Sequence, residues 1–114
     1  MIKRVEKPWG WEEFLVENEY YRIKRLHVNA GCRNSLQRHR EKVETLIYPN
    51  GEVVHVPQLK VHRIEAPPNQ DIEVLEVSHG KDEDVERLEN DYGRTTKNNQ
   101  SAFNIEIEYI ANLF

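Results

Sequence analysis

"GCRNSLQRHREKVETLIYPNG", Gly31–Gly51, places Gln37, His39 and Glu44 between two glycines in a polar stretch that otherwise alternates like strand. Residues two apart in an extended chain point to the same side. Gln37 and His39 therefore share a face, and Glu44 can join them from the next strand. His62, on a later strand, shares its face with Ile64. If that face points inward, an amide oxygen, two imidazoles and a carboxylate converge. Such a mixed nitrogen and oxygen set suits a divalent transition metal (zinc, manganese, iron, cobalt or nickel), and nothing in the sequence chooses among them. Taken singly, each of the four is an ordinary strand residue. It is the joint spacing that carries the reading. His27, His55 and His79 have no such company and read as structural.

Outward from this stretch the dominant period is two, the signature of strands. "WEEFLV" leads through "ENEY" into "YRIKRLHV", where Lys24, Leu26 and Val28 share one face and Ile23, Arg25 and His27 the other. "SLQRH", "VETLIY", "EVVHV", "KVHRIEA" and "IEVLEVS" follow, and "PNG" between two of them is a hairpin signal. "DEDVERLEND" is the one expected helix, near residues 82–90, with Asp82 or Asp84 at its start. A polar linker and the alternating "FNIEIEYI" occupy 95–114, after a barrel over 1–94. About eight short strands and at most one helix make an all-β barrel or sandwich.

The chain has 114 residues, 32% of them charged, with a net charge of −4. That length supports one domain with a lean core. Acidic and basic residues are interspersed, which excludes the basic footprint of a nucleic-acid binder. The single cysteine, Cys32, excludes an internal disulfide framework. No apolar run follows the charged start and none is long enough to span a bilayer, so the expectation is a cytoplasmic protein with no membrane partner.

Gly31, Gln37-x-His39, Glu44 and Gly51 resemble the first cupin motif, with glutamine in the first histidine position. "GEVVHVPQLKVHRIEA" resembles the second, with Gly51, Pro57 and His62 in place, Leu59 where a glycine is usual and Ala66 where an asparagine is usual. "KPWGWEEFL", "YYRIKRLHVNAGCRNSLQRH", "VPQLKVHRIEAP" and "IEVLEVSHGKDEDVERLENDYGR" together are similar to the type II mannose-6-phosphate isomerase domain, often fused behind a mannose-1-phosphate guanylyltransferase. The resemblance implies a cupin double-stranded β-helix (jelly-roll) barrel. It also implies a metal held by Gln37, His39, Glu44 and His62, and interconversion of an aldose phosphate and a ketose phosphate through an enediolate. Lys24 would stabilise the enediolate or the phosphate, and Arg94 would hold phosphate. Glu41, where the family has a second histidine, would be a candidate base. Trp9 and Trp11 read as core or lid residues.

The strand pair that usually separates the two motifs is missing, because Gly51 ends one motif and begins the other. Its loss shortens the barrel and leaves a sheet edge open. Either the C-terminal strand or a second copy of the chain would cover that edge, and a homodimer is the expectation. Two other functions remain open on the same residues: a non-catalytic cupin that binds a sugar or other small molecule, and a structural or assembly module.

Overall fold

The computed structural model describes residues 2–93. Arg94, the linker and the expected C-terminal strand lie outside them. Eight strands follow one another: β1 (Lys3–Lys7), β2 (Gly10–Glu17), β3 (Arg22–Val28), β4 (Leu36–Arg38), β5 (Val43–Ile47), β6 (Val53–Val56), β7 (Ile72–His79) and β8 (Glu86–Glu89). Six form one antiparallel sheet in the order β1-β2-β3-β7-β5-β6, and β4 pairs with β8 in a second. The segment from Val61 to Ala66, expected as a continuous strand, instead runs antiparallel to 32–37 through the isolated bridges Arg33–Glu65 and Gln37–His62. It thereby widens the second layer opposite the large sheet.

Period two fixes what each strand buries. On β3 the inward residues are Arg22, Lys24, Leu26 and Val28, and on β7 they are Val74, Glu76 and Ser78. Glu44 and Leu46 point inward from β5. Leu26, Val28, Leu46, Val56, Ile64, Val74 and Trp9 form the apolar core. Trp11 lies on the outer face, stacked on His27 with ring centroids 4.8 Å apart, so of the two tryptophans only Trp9 is a core residue. Gly10 is dictated by close approach, because a Cβ there would sit 1.8 Å from the His27 carbonyl oxygen.

The shortened connection between β5 and β6 is a three-residue hairpin. The Gly51 amide donates to the Tyr48 carbonyl, the Tyr48 amide donates to the Glu52 carbonyl, and Gly51 takes φ +88°. A type I turn closed by a left-handed residue is the usual solution at this length. β6 is left as an edge strand, with Val53 62% exposed. Leu59 occupies the left-handed region at φ 66°, at the position where the second motif usually has glycine. A non-glycine residue there carries backbone strain.

The expected helix near 82–90 is a correction. Among the described residues there is no helix, and residues 86–89 form β8 against β4. A helix of this length is marginal by itself. Here its side chains have better partners across the fold. The Asp84 carboxylate accepts the backbone amides of Arg40, Glu41 and Lys42, and Glu86 accepts from Arg38 at 3.2 Å.

Candidate metal centre and its cavity

β4 and the loop after it, β5, and the 61–66 segment carry His39, Glu44 and His62 to one point. All three are buried, and one potential ligand atom from each lies within 4.8 Å of the others. His62 Nε2 is 2.9 Å from Glu44 Oε1, and His39 Nε2 is 3.5 Å from Glu44 Oε2. The opposite ring nitrogens are tied to main-chain carbonyls: His39 Nδ1 donates to Asp84 at 2.6 Å and His62 Nδ1 to Lys60 at 3.0 Å. A carbonyl only accepts, so each Nδ1 carries a proton, and each Nε2 is turned toward the Glu44 carboxylate, where a metal ion could take the place of a proton. Burial alone would push the Glu44 carboxyl up. The His39 and His62 imidazoles and the Lys42 ammonium outweigh it and hold the group well below the usual carboxylate range.

Gln37 sits beside this group, bridged to His62 through the backbone, with its amide nitrogen donating to the Ser35 hydroxyl at 3.0 Å and the Ser35 carbonyl at 3.3 Å. Its side chain lines, with Glu44 and His62, a cavity of about 90 Å³. Lys24 points into the same cavity, as its strand face requires. Its Nζ is 2.7 Å from Asp82 and 3.5 Å from Glu12. Burial would lower the Lys24 ammonium, but the carboxylates of Glu76, Glu12 and Asp82 more than offset this and hold it above its ordinary value.

Glu41 is not brought to the site. It is exposed on the loop between β4 and β5, tied down through its backbone: its amide donates to Asp84 and its carbonyl accepts from Gln58 Nε2 at 3.2 Å. His27 bonds Asp71 and Glu73 on the outer face, His55 is exposed, and His79 donates to the Tyr20 carbonyl; none approaches the centre.

Comparison with known proteins gives the frame for this geometry. No protein-family model matches the chain. The alginate biosynthesis protein AlgA of Pseudomonas aeruginosa is 29% identical over 112 residues, covering 82% of this chain and 23% of the relative. The mannose-1-phosphate guanylyltransferase ManC of Salmonella typhimurium is 29% identical over 113 residues, covering 82% of this chain and 24% of the relative. The chain thus spans about a quarter of the length of these curated relatives, and the matched part is their C-terminal region. Among solved structures, the cupin-2 domain of Rru_A2000 from Rhodospirillum rubrum superposes with a TM-score of 0.70 at 10% identity, covering 95% of this chain and 84% of that one. The fold is a cupin barrel.

Within the cupin barrel, the residues present fit a divalent metal. His39 Nε2 and Glu44 Oε2 are buried without a well-formed hydrogen bond; they face each other at 3.5 Å, with Lys42 Nζ 3.3 Å from Glu44 Oε2, so a coordinating ion would satisfy them better than they satisfy each other. Carbonyl anchors on the far ring nitrogens are the usual outer support of a ligating imidazole. The donors are two nitrogens and a carboxylate, with the Gln37 amide beside them, a set open to several first-row metals.

Lys42, Glu76, Asp82 and Glu12 also line the cavity, and none of them stands out in the motifs. The signal for Glu76 was present in the alternation, since it shares the buried face of β7 with Val74 and Ser78. A carboxylate in that row is largely withdrawn from water. Burial first, and the neighbouring Glu44 charge second, push the Glu76 carboxyl up to about 7, with Lys42 and Lys24 opposing. Its Oε2 has no hydrogen-bond partner.

Proposed function

We propose that this cupin barrel interconverts an aldose phosphate and a ketose phosphate, using a divalent metal held by Gln37, His39, Glu44 and His62. The observation that carries the reading is the buried His39–Glu44–His62 group, with both Nε2 atoms turned toward the Glu44 carboxylate beside a cavity lined by Lys24 and Glu76. A metal bound there would supply a Lewis acid for the sugar carbonyl oxygen. Glu76, buried in the cavity wall, takes the place first given to Glu41. It removes the proton from carbon two of the open-chain aldose and returns it to carbon one. Lys24 offsets the negative charge that develops on the sugar oxygens. The relatives' names in polysaccharide biosynthesis and mannose-1-phosphate guanylyl transfer favour a phosphorylated sugar as substrate. A homodimer, with β6 as the edge that a second copy covers, belongs to the same reading.

One observation favours a second reading. Lys42 Nζ lies 3.3 Å from Glu44 Oε2, so an internal ammonium can neutralise the carboxylate without a metal. The protein would then be a non-catalytic cupin that binds a sugar through the same cavity. Elemental analysis of purified protein separates the two. About one transition metal per chain, lost in His62→Ala, together with aldose–ketose turnover, is the expected outcome. Protein that takes up no zinc, manganese, iron, cobalt or nickel on incubation sinks the metal-dependent reaction and leaves the binding module.

A further inference from the structure

His39 and Glu44 are five residues apart, and the turn between them decides how their side chains meet. β4 ends at Arg38 and β5 begins at Val43, so residues 39–42 lie outside both strand ladders. The loop between β7 and β8 holds them instead. Asp84 Oδ1 accepts the Arg40 amide at 3.2 Å, and Oδ2 accepts the Glu41 and Lys42 amides at 2.8 and 2.9 Å. Three successive amides turned toward one anion form a backbone nest. The main-chain carbonyl of the same residue accepts His39 Nδ1 at 2.6 Å. Gly80 seats this loop against the turn: it takes φ +110°, and a Cβ there would meet Lys42 Cα at 2.9 Å. The Leu59 amide adds a further hold, donating to the His39 carbonyl at 2.6 Å.

Asp84 thus grips the turn at two places, the His39 ring and the amides that lead into β5. Hydrogen bonds to a charged acceptor are the strong ones, so the carboxylate with its three amides is the main hold. Asp84 does not line the cavity, and whatever it does there it does through the turn. We propose that Asp84 is a positioning residue of the metal centre, given the metal reading above: by holding the turn it fixes the direction of His39 Nε2 and its separation from the Glu44 carboxylate. Lys42 is set by the same nest, which leaves its Nζ 3.3 Å from Glu44 Oε2. Outer partners of this kind act on metal affinity without touching the metal.

The test is titration of metal-free protein with cobalt(II), followed by visible absorption, which reads affinity and ligand geometry together. Wild type is expected to bind one cobalt per chain. Asp84→Asn is nearly isosteric and keeps the main-chain carbonyl, but it leaves one acceptor oxygen where the nest uses two. It is expected to weaken cobalt by about 10–100-fold and to change the position or intensity of the visible bands. Asp84→Ser, with a single hydroxyl acceptor, serves if the asparagine variant does not fold and is expected to do the same. Leu46→Ala, which loosens the apolar core, is the control and should leave both readings as in wild type. Wild-type affinity and bands in the folded Asp84 variant overturn the positioning role. Weaker binding with unchanged bands also overturns it, because loss of a nearby negative charge would then account for the effect, and so does an equal change in Leu46→Ala. Wild type that takes up no cobalt sinks the metal reading together with the role of Asp84, whereas cobalt held equally by wild type and variant sinks the role of Asp84 alone.

Discussion

The two ends of the large sheet present opposite chemistry on one inward face. Leu26 of β3 pairs with Val74 of β7, and with Val28, Leu46, Val56 and Ile64 they make a dry core. Two residues away on the same strands, Lys24 pairs with Glu76 and Arg22 with Ser78, and Glu44 of β5 pairs with Ser78 from the other side. Backbone geometry and burial are alike at both ends. What differs is the cost of each end: the apolar end is stable in its own right, while the polar end holds cations and carboxylates out of water and is tolerated because they compensate one another. In this barrel the apolar residues gather at one end of the inward face and the charged ones at the other.

The largest effect expected from that division is at the apolar end. Leu46 is fully buried, and Leu46→Ala should cost about 2–5 kcal/mol in denaturant unfolding while metal content per folded chain stays as in wild type. Loss of metal in parallel with stability would show that the two ends are not separable.

At the polar end the sign should reverse. In metal-free protein, Glu76 has its folded-state pKa raised to about 7 from an unfolded value near 4.5, so between these values the folded state binds more protons than the unfolded one. Stability contributed by this group then falls as pH rises from about 4.5 to about 7. Glu76→Gln is expected to stabilise the metal-free protein by on the order of 2 kcal/mol at pH 8 and hardly at all at pH 4.5. Equal stability of variant and wild type across that range would break the comparison. In acid the carboxylates Glu44, Asp82 and Asp84, held below their ordinary range, act the other way. Their contribution is complete above the unfolded carboxylate range and is lost as pH falls through their lower folded values.

The smallest effect tests a place outside both ends. Leu59 holds a left-handed backbone conformation with a half-exposed side chain, and Leu59→Gly should raise the unfolding free energy by about 1 kcal/mol by relieving strain. A lower free energy would mean that packing of the Leu59 side chain outweighs the strain.

Much of the centre was legible before any coordinates. His39, Glu44 and His62 meet because an alternating strand and a fixed spacing leave them little choice, and Gln37 follows from the same rule. Lys24 was readable as inward-facing for the same reason. His39, just past β4, still follows the strand's alternation, whereas at residues 40–42 the chain turns and its amides are captured by Asp84, so Glu41 falls off that face.

The sequence by itself determined the strand class, the inward rows of β3, β5 and β7, the hairpin at "PNG" and the shared face of the metal-type ligands. All of these follow from period two or from turn chemistry, which act over a few residues. Only the tertiary structure decided that 86–89 is a strand, that Trp11 faces outward, and that Lys42, Glu76 and Asp82 join one cavity. Those outcomes depend on partners far along the chain: β4 offers β8 an edge, the amides of residues 40–42 capture Asp84, and Arg22, Lys24 and Lys42 gather around Asp82. Where a charged side chain is buried is set by which opposite charge it meets across the fold, and no local pattern encodes that meeting.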